Sequence, residues 1–277
     1  MNILFLGDLV GEGTLPFLKK NLPNILKKYN ISFVIVNGEN LAEGYGITPN
    51  LCDQLFNLGV DVISSGNHIW DQDNIIPYIA KQENLLRPIN YSEKSPGRGI
   101  GKFTDKLGNK IIVINVSCNL FMQKADNAFI KIKDLLKGIK LKKDCDAIFV
   151  DLHGEVASEK QALANMIDGS VTAVIGTHTH VPTSDLRVLP NGTAFQTDAG
   201  MCGDYDSVIG GNKNSWIEKF NLKNNIKKIY SSNKNTTLCG VIIKVNRDNG
   251  LTSFTDQLIL GTILRNKIPC EEHFNKE

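Results

Sequence analysis

Four of the five histidines fall in three short segments: Gly66-Asn67-His68, Asp151-Leu152-His153-Gly154-Glu155 and Gly176-Thr177-His178-Thr179-His180. Two further segments, Gly7-Asp8 and Asn37-Gly38-Glu39-Asn40, add carboxylates and amides. Imidazole and carboxylate together suit iron, manganese or zinc. His178 and His180 alternate by two; in an extended segment both rings project to one side, so one turn can serve two neighbouring metals. A carboxylate such as Glu39 can bridge two cations and offset their repulsion. Glycines ahead of Asp8, Glu39, Asn67 and His178 let the backbone turn sharply.

Each residue alone has a plainer reading. Asp8 at a strand end is ordinarily a helix cap, Asn67 a turn residue, Glu39-Asn40 a turn and His153 a satisfied core histidine. His273, near the polar C-terminus, has only the plain reading. The combination points to a metal site, because five strand ends would otherwise have acquired these groups independently.

Short β-branched runs alternate with helical patterns, which predicts α/β layers. Strands are predicted at Ile3–Leu6, Phe33–Val36, Val60–Ser64, Lys110–Val116, Ala147–Asp151, Ala173–Gly176, Thr193–Thr197 and Gly240–Val245, with a last one within Leu251–Leu264. Several are continuously apolar, as strands buried on both faces are. The candidate ligands follow strand ends, where sites form in open α/β sheets. Between strands, Leu15, Leu18, Leu22, Ile25, Leu26 and Tyr29 recur at helical spacing, with Pro23 expected to bend or split that helix. Thr48-Pro49 reads as a cap and first turn, Gly59 as a stop, and Ser158 with Gln161 as a capping box before core-facing Leu163 and Ile167.

The 277 residues fit one large domain. About 203–235 is polar, Asn- and Lys-rich and read as a cap-like insertion; about 265–277 reads as a C-terminal extension. Net charge is +2 with scattered lysines, unlike the basic stripe of a dedicated nucleic-acid binder. Six cysteines form no C-x-x-C pair and read as free thiols in a reducing compartment; Cys118 and Cys202 are expected to pack. No signal-peptide pattern or bilayer-length apolar run occurs. A soluble, cytoplasmic protein without membrane contact is expected. Ser207 has no histidine partner in view, so a serine nucleophile is not expected.

Gly-Asn-His, a later His and Gly-x-His-x-His resemble the calcineurin-like metallophosphoesterases. The first histidine of that family's Asp-x-His is replaced by Val10, and the bridging-aspartate segment by Asn37-Gly38-Glu39-Asn40. Those departures mark the YmdB-like branch, which the chain resembles from Gly7-Asp8 through Gly66-Asn67-His68-Ile69-Trp70-Asp71 to Thr197-Asp198-Ala199-Gly200-Met201-Cys202-Gly203 and Tyr205–Gly210. The resemblance implies a four-layer α/β/β/α sandwich. It implies one metal on Asp8, Glu39, Asn40 and His180, a second on Glu39, Asn67, His153 and His178, and His68 as proton donor. Asn40 would replace the missing histidine ligand, and iron or manganese is the expected metal. The implied activity is hydrolysis of cyclic nucleotides, notably 2′,3′-cyclic ones, by a hydroxide held between two metals.

The expected partner is therefore a small phosphodiester substrate; homo-oligomerisation is left open. Asp71 is a candidate to orient His68, with a helix-start role weighed beside it. Three rivals remain: a broad phosphodiesterase or phosphomonoesterase, a regulatory protein that binds metal and phosphate without turnover, and a closed structural metal site. The presence of His68 argues against the second, and seven ligands including amide oxygens against the third.

Overall fold

The computed structural model of the protein describes residues 1–221, 226 and 228–275. In chain order the first half comprises β1 (Asn2–Leu6), α1 (Thr14–Lys28), β2 (Ile31–Asn37), α2 (Pro49–Asn57), β3 (Val62–Ser64), α3 (Ile75–Ile79), β4 (Ile100–Thr104), β5 (Lys110–Ser117) and α4 (Ala128–Lys137). The second half comprises β6 (Ala147–His153), α5 (Ala157–Met166), β7 (Ala173–Thr177), β8 (Arg187–Val188), β9 (Ala194–Gln196), β10 (Gly203–Asp204), α6 (Lys213–Phe220), β11 (Thr236–Val245), β12 (Thr252–Leu260) and α7 (Glu272–Asn275).

The strands form two sheets. One runs β10-β11-β1-β2-β3 with β12 on the other edge of β11; the second runs β4-β5-β6-β7-β9-β8. Side-chain parity explains how they stack. Ile3 and Phe5 of β1 join Phe33, Ile35, Val113, Phe149 and Ile175 in a core between the sheets. The intervening Leu4 and Leu6 face the other way, onto Leu18, Leu22 and Leu55 of α1 and α2. On the second sheet Ile114, Val150 and Val174 turn outward onto Ile132 and Leu163 of α4 and α5. Alternation along a strand thus builds three apolar layers and the helix/sheet/sheet/helix order that the resemblance implied. Phe5 and Phe149 meet across the middle layer with ring centroids 4.9 Å apart.

Local readings fare differently. Thr48 caps α2, its Oγ1 accepting from Leu51 N, with Pro49 in the first turn, and Gly59 follows with φ +96°. Pro23 does not split α1, which runs unbroken from Thr14 to Lys28. Pro23 and Lys19, whose carbonyl loses its partner, both lie on the exposed face, so water can satisfy that oxygen. The Ser158 capping box does not form. The N-cap of α5 is Val156 without a side-chain bond, and Ser158 lies inside the helix. Strands β4, β8 and β10 were not predicted.

Within 203–235 lie β10 and α6, while 222–225 and 227 fall outside the described residues. Beyond 265, Lys267 pairs with Ile259 and Phe274 is buried edge-on against Tyr29; 276 and 277 lie outside the described residues. Five of the six free cysteines are buried, Cys118 and Cys202 among them, and Cys270 is exposed. No helix among the described residues is long and apolar enough to cross a membrane.

Candidate metal centre

The parallel pairings β1–β2–β3 and β5–β6–β7 bring the ends of both sheets' strands to one rim. Asp8 follows β1, Glu39 and Asn40 follow β2, Asn67 and His68 follow β3, His153 ends β6, and His178 and His180 follow β7. Glu39, His153 and His178 each present a ligand atom within 4.8 Å of the other two. Around His153 Nε2 lie Glu39 Oε1 at 2.9 Å, Asn67 Oδ1 at 3.0 Å and His178 Nδ1 at 3.1 Å. One N–H cannot serve three acceptors.

The outer partners of these rings say which nitrogen carries the proton. Asp151 Oδ1 accepts from the single hydroxyl proton of Thr177, at 2.7 Å. Thr177 Oγ1 therefore accepts from His153 Nδ1, at 2.9 Å, and Nε2 keeps its lone pair toward the cluster. His178 Nε2 lies 3.3 Å from Glu155 Oε2, which turns its Nδ1 lone pair inward. His180 Nδ1 donates to the Ile209 carbonyl at 2.8 Å, so its Nε2 lone pair faces Asn40 Oδ1 at 3.3 Å. Asn40 cannot present its amide protons there, because Nδ2 donates to the Gly44 carbonyl. In their neutral forms these rings aim two groups of lone pairs at common points, so a proton and a cation compete for the same donors.

The carboxylates complete the test. Asp8 Oδ1 and Glu39 Oε1 are buried and have no hydrogen-bond donor among the described residues. Asp8 Oδ2 accepts from His178 N at 3.1 Å and Glu39 Oε2 from His68 N at 3.0 Å, so one oxygen of each is fixed and the other is left for a cation. An unpaired buried carboxylate oxygen is costly; a divalent ion removes that cost. The mixed carboxylate, amide and imidazole donor set fits divalent metal ions.

Where a proton takes the place of a cation, the same donors titrate together. Burial pushes the Glu39 carboxyl up, but the charge and hydrogen bond of His153 outweigh it and hold it at about 2. Burial pushes His153 down, yet Glu39 raises it to about 9. His178, buried and beside the charge on His153, falls to about 3. Burial raises Asp8 despite the nearby His180 and His153.

Beneath the site Asp151 joins the sheets. Burial raises its carboxyl to about 6, and it accepts from Asn37 Nδ2, Ser64 Oγ and Thr177 Oγ1. Buried Lys160 donates to the Thr177 carbonyl at 2.7 Å and to Asp198 Oδ2 at 3.0 Å. The same Asp198 oxygen accepts from Thr179 N. This pair clamps the histidine loop. That loop is not extended, as the alternation had implied: His178 and His180 have φ of +101° and +65°, and their rings serve different donor groups. Strain of this kind persists where the surroundings over-determine it. Gly66 is required by close approach, since a Cβ there would lie 2.2 Å from His153 Nε2 and 2.5 Å from Glu39 Oε2.

His68 stands apart from both donor groups. Its Nδ1 lies 2.7 Å from Asp71 Oδ2, so Asp71 orients it, and Tyr45 packs edge-on at 5.3 Å. Thr177, the Lys160–Asp198 pair and Tyr45 escaped the sequence reading. A lysine in a helix otherwise poor in basic residues was the one available signal for the buried pair.

Two sheets, flanking helices and this rim of donors define a calcineurin-like phosphoesterase fold. A calcineurin-like phosphoesterase of Bacillus subtilis, YfkN, shares it with a TM-score of 0.54 at 15% identity over 94% of this chain and 90% of that one. More specifically, residues 4–257 match the YmdB-like protein family, and the chain belongs to that family. It is 40% identical over 246 residues, 89% of this chain and 92% of the relative, to a 2′,3′-cyclic-nucleotide 2′-phosphodiesterase of Bacillus subtilis. The crystal structure of a phosphatase from Mycoplasma pneumoniae superposes with a TM-score of 0.86 at 34% identity, over 94% of this chain and 93% of that one.

Proposed function

We propose that the protein is a dinuclear metal-dependent phosphodiesterase that hydrolyses cyclic nucleotides, 2′,3′-cyclic ones in particular, with His68 as general acid. The observation that carries this reading is the convergence of nitrogen and oxygen donor atoms around His153 Nε2 and between His180 and Asn40, beside carboxylate oxygens buried without partners. The Bacillus relative's activity supports the substrate class. Asp8, Glu39, Asn40 and His180 would hold one ion and Glu39, Asn67, His153 and His178 the other, iron or manganese being the metals expected. Such ions, when bound, supply Lewis-acid polarisation of the phosphoryl group and a water acidic enough to attack near neutral pH.

The chain's own residues do the rest. Glu39 receives the His68 backbone N–H, which ties His68 to the carboxylate that would bridge the two ions. As the imidazolium, His68 donates its Nδ1–H to Asp71 and keeps a second proton on Nε2, toward the cleft. When water's oxygen bonds to phosphorus and a ribose oxygen departs, that oxygen takes its proton from Nε2, and the product is a phosphomonoester. General acid help of this kind is worth about 10²–10⁴-fold.

The test is metal analysis of the purified protein together with turnover of 2′,3′-cyclic, 3′,5′-cyclic and linear diesters and of monoesters. The expected result is two ions per chain and the highest kcat/KM on 2′,3′-cyclic esters. Turnover of monoesters alone would replace this reading with the phosphatase activity of the Mycoplasma pneumoniae relative. Full activity with one ion or none would remove the dinuclear centre.

A further inference from the structure

Beside the donor cluster the cleft continues into a cavity of about 240 Å³. His68 and His180 stand at one end of it; Tyr45, Ile209, Trp216 and Ile229 provide aromatic and aliphatic walls. Beyond the Ile209 carbonyl that accepts from His180 and the Tyr45 ring against His68, these four have no assigned part in metal binding or proton transfer. Among the described residues no Asp, Glu, Lys or Arg lines the cavity, although the Lys228 ammonium lies 4.9 Å over the Tyr45 ring and that of Lys219 5.0 Å over Trp216. Besides the two histidines, its polar side-chain groups are the Asn40 amide, the Ser231 and Tyr45 hydroxyls and the Trp216 indole N–H.

The walls are held in advance. Phe220 stacks on Trp216 with centroids 5.6 Å apart and planes 20° apart. The Tyr45 hydroxyl accepts from Ile229 N at 3.3 Å, joining the segment after β2 to the chain returning from α6. Gly211 keeps the backbone thin where they meet: a Cβ there would lie 2.5 Å from Trp216 Nε1 and 3.0 Å from Ile229 Cγ2. Gly210 does the same beside Val10, whose Cγ1 would be 2.5 Å from a Cβ. A cavity walled by a tyrosine, a tryptophan and two isoleucines, and shared with His68 and His180, has the chemistry of a base-stacking site.

We propose that this cavity is a nucleobase subsite. The heteroaromatic base of the substrate lies against Trp216 and Tyr45 while the phosphoester is held at His68 and His180, and Ile209, Trp216, Ile229 and Ser231 set the preference for nucleoside esters. The proposal rests on the phosphodiesterase reading for its catalytic consequence, but not for binding.

Two measurements on the full-length, metal-loaded protein test it. Calorimetry with adenosine, which carries no phosphate, reads the subsite without turnover: binding is expected to the wild type, to be retained by Trp216→Phe and to weaken on the order of 10–100-fold in Trp216→Ala. Kinetics then compare adenosine 2′,3′-cyclic phosphate with glycerol 1,2-cyclic phosphate, which lacks a base. Trp216→Ala is expected to lose kcat/KM by a similar factor, through KM, on the nucleoside ester alone, and unchanged turnover of the glycerol ester certifies an intact fold and metal centre. Equal losses on both esters, or adenosine binding indifferent to Trp216→Ala, would overturn the subsite. Adenosine binding that depends on Trp216 in a protein hydrolysing neither ester would uphold the subsite and discard the phosphodiesterase.

Discussion

At the scale of residues, three neighbouring groups have separable duties. Glu39 offers one oxygen to His68 N and leaves the other buried without a donor. Glu39→Gln keeps the shape and removes the charge that would offset two cations. It should bind fewer than two ions, keep its fold and lose activity by on the order of 10²–10³-fold or more; full turnover with two ions would deny Glu39 the bridging role. His68 should divide substrates by leaving group. A ribose alkoxide needs the proton, whereas a nitrophenolate departs without it. His68→Ala should keep its metals, lose about 10²–10⁴-fold on a 2′,3′-cyclic nucleotide and much less on a nitrophenyl diester. Asp71→Asn, which can still accept the Nδ1 proton, should show the same substrate pattern at smaller amplitude. Equal losses on both substrates would make His68 a phosphate-positioning residue. The residues that converge at the rim were legible because their types are chemically rare at strand ends. The orientation of each ring was not: the His153–Thr177–Asp151 relay depends on the register that sets His153 opposite Thr177, and pairing of that kind is invisible in one dimension.

Elements explain which structures could be read from the sequence. β1, β5 and β6 are apolar on both faces because each is packed between a helix layer and the other sheet, and their sequences announce it. β4 is an edge strand with mixed exposure and a glycine, so its pattern resembles a loop. The Ser158-x-x-Gln161 pattern occurs by chance inside a helix whose start is fixed instead by β6 and the Lys160–Asp198 pair. That pair sits on α5 and after β9, fully buried, and the Lys160 ammonium holds the Asp198 carboxyl low against the effect of burial. Lys160→Met should therefore cost about 3–5 kcal/mol, because it strands a buried charge. The double variant Lys160→Met/Asp198→Leu should recover part of that loss in denaturant unfolding while remaining impaired in metal affinity, since the Thr179 N–H loses its acceptor. A double variant no more stable than the single one would mean the cost lies in packing and not in the charge.

For the whole molecule, ligands drawn from both sheets make metal binding a property of the assembled sandwich. Ions that bind only the folded state add about 4 kcal/mol at a free concentration a thousandfold above Kd. Chelation should lower the thermal midpoint by several degrees or more, and Glu39→Gln should blunt that response; a midpoint indifferent to chelator would place the ligands on too few elements to matter. The order of strands has a further consequence, for the time course of folding. The second sheet draws its strands from one continuous stretch, β4 to β9. In the first sheet β1 lies between β2 and β11, with Asn2 opposite Lys244, so the first strand synthesised waits for almost the last. Contacts so distant along the chain are slow to form because loop closure must precede them. On the ribosome the segment carrying His153, His178 and His180 is expected to resist protease first, while Asp8, next to the open edge of β1, stays exposed until β11 has emerged. Stalled chains ending before Thr236, compared with chains extended past Leu260, would reveal that order; early protection around Asp8 would refute it. An emerging chain so ordered presents histidines before carboxylates, and the complete centre exists only once synthesis is nearly over.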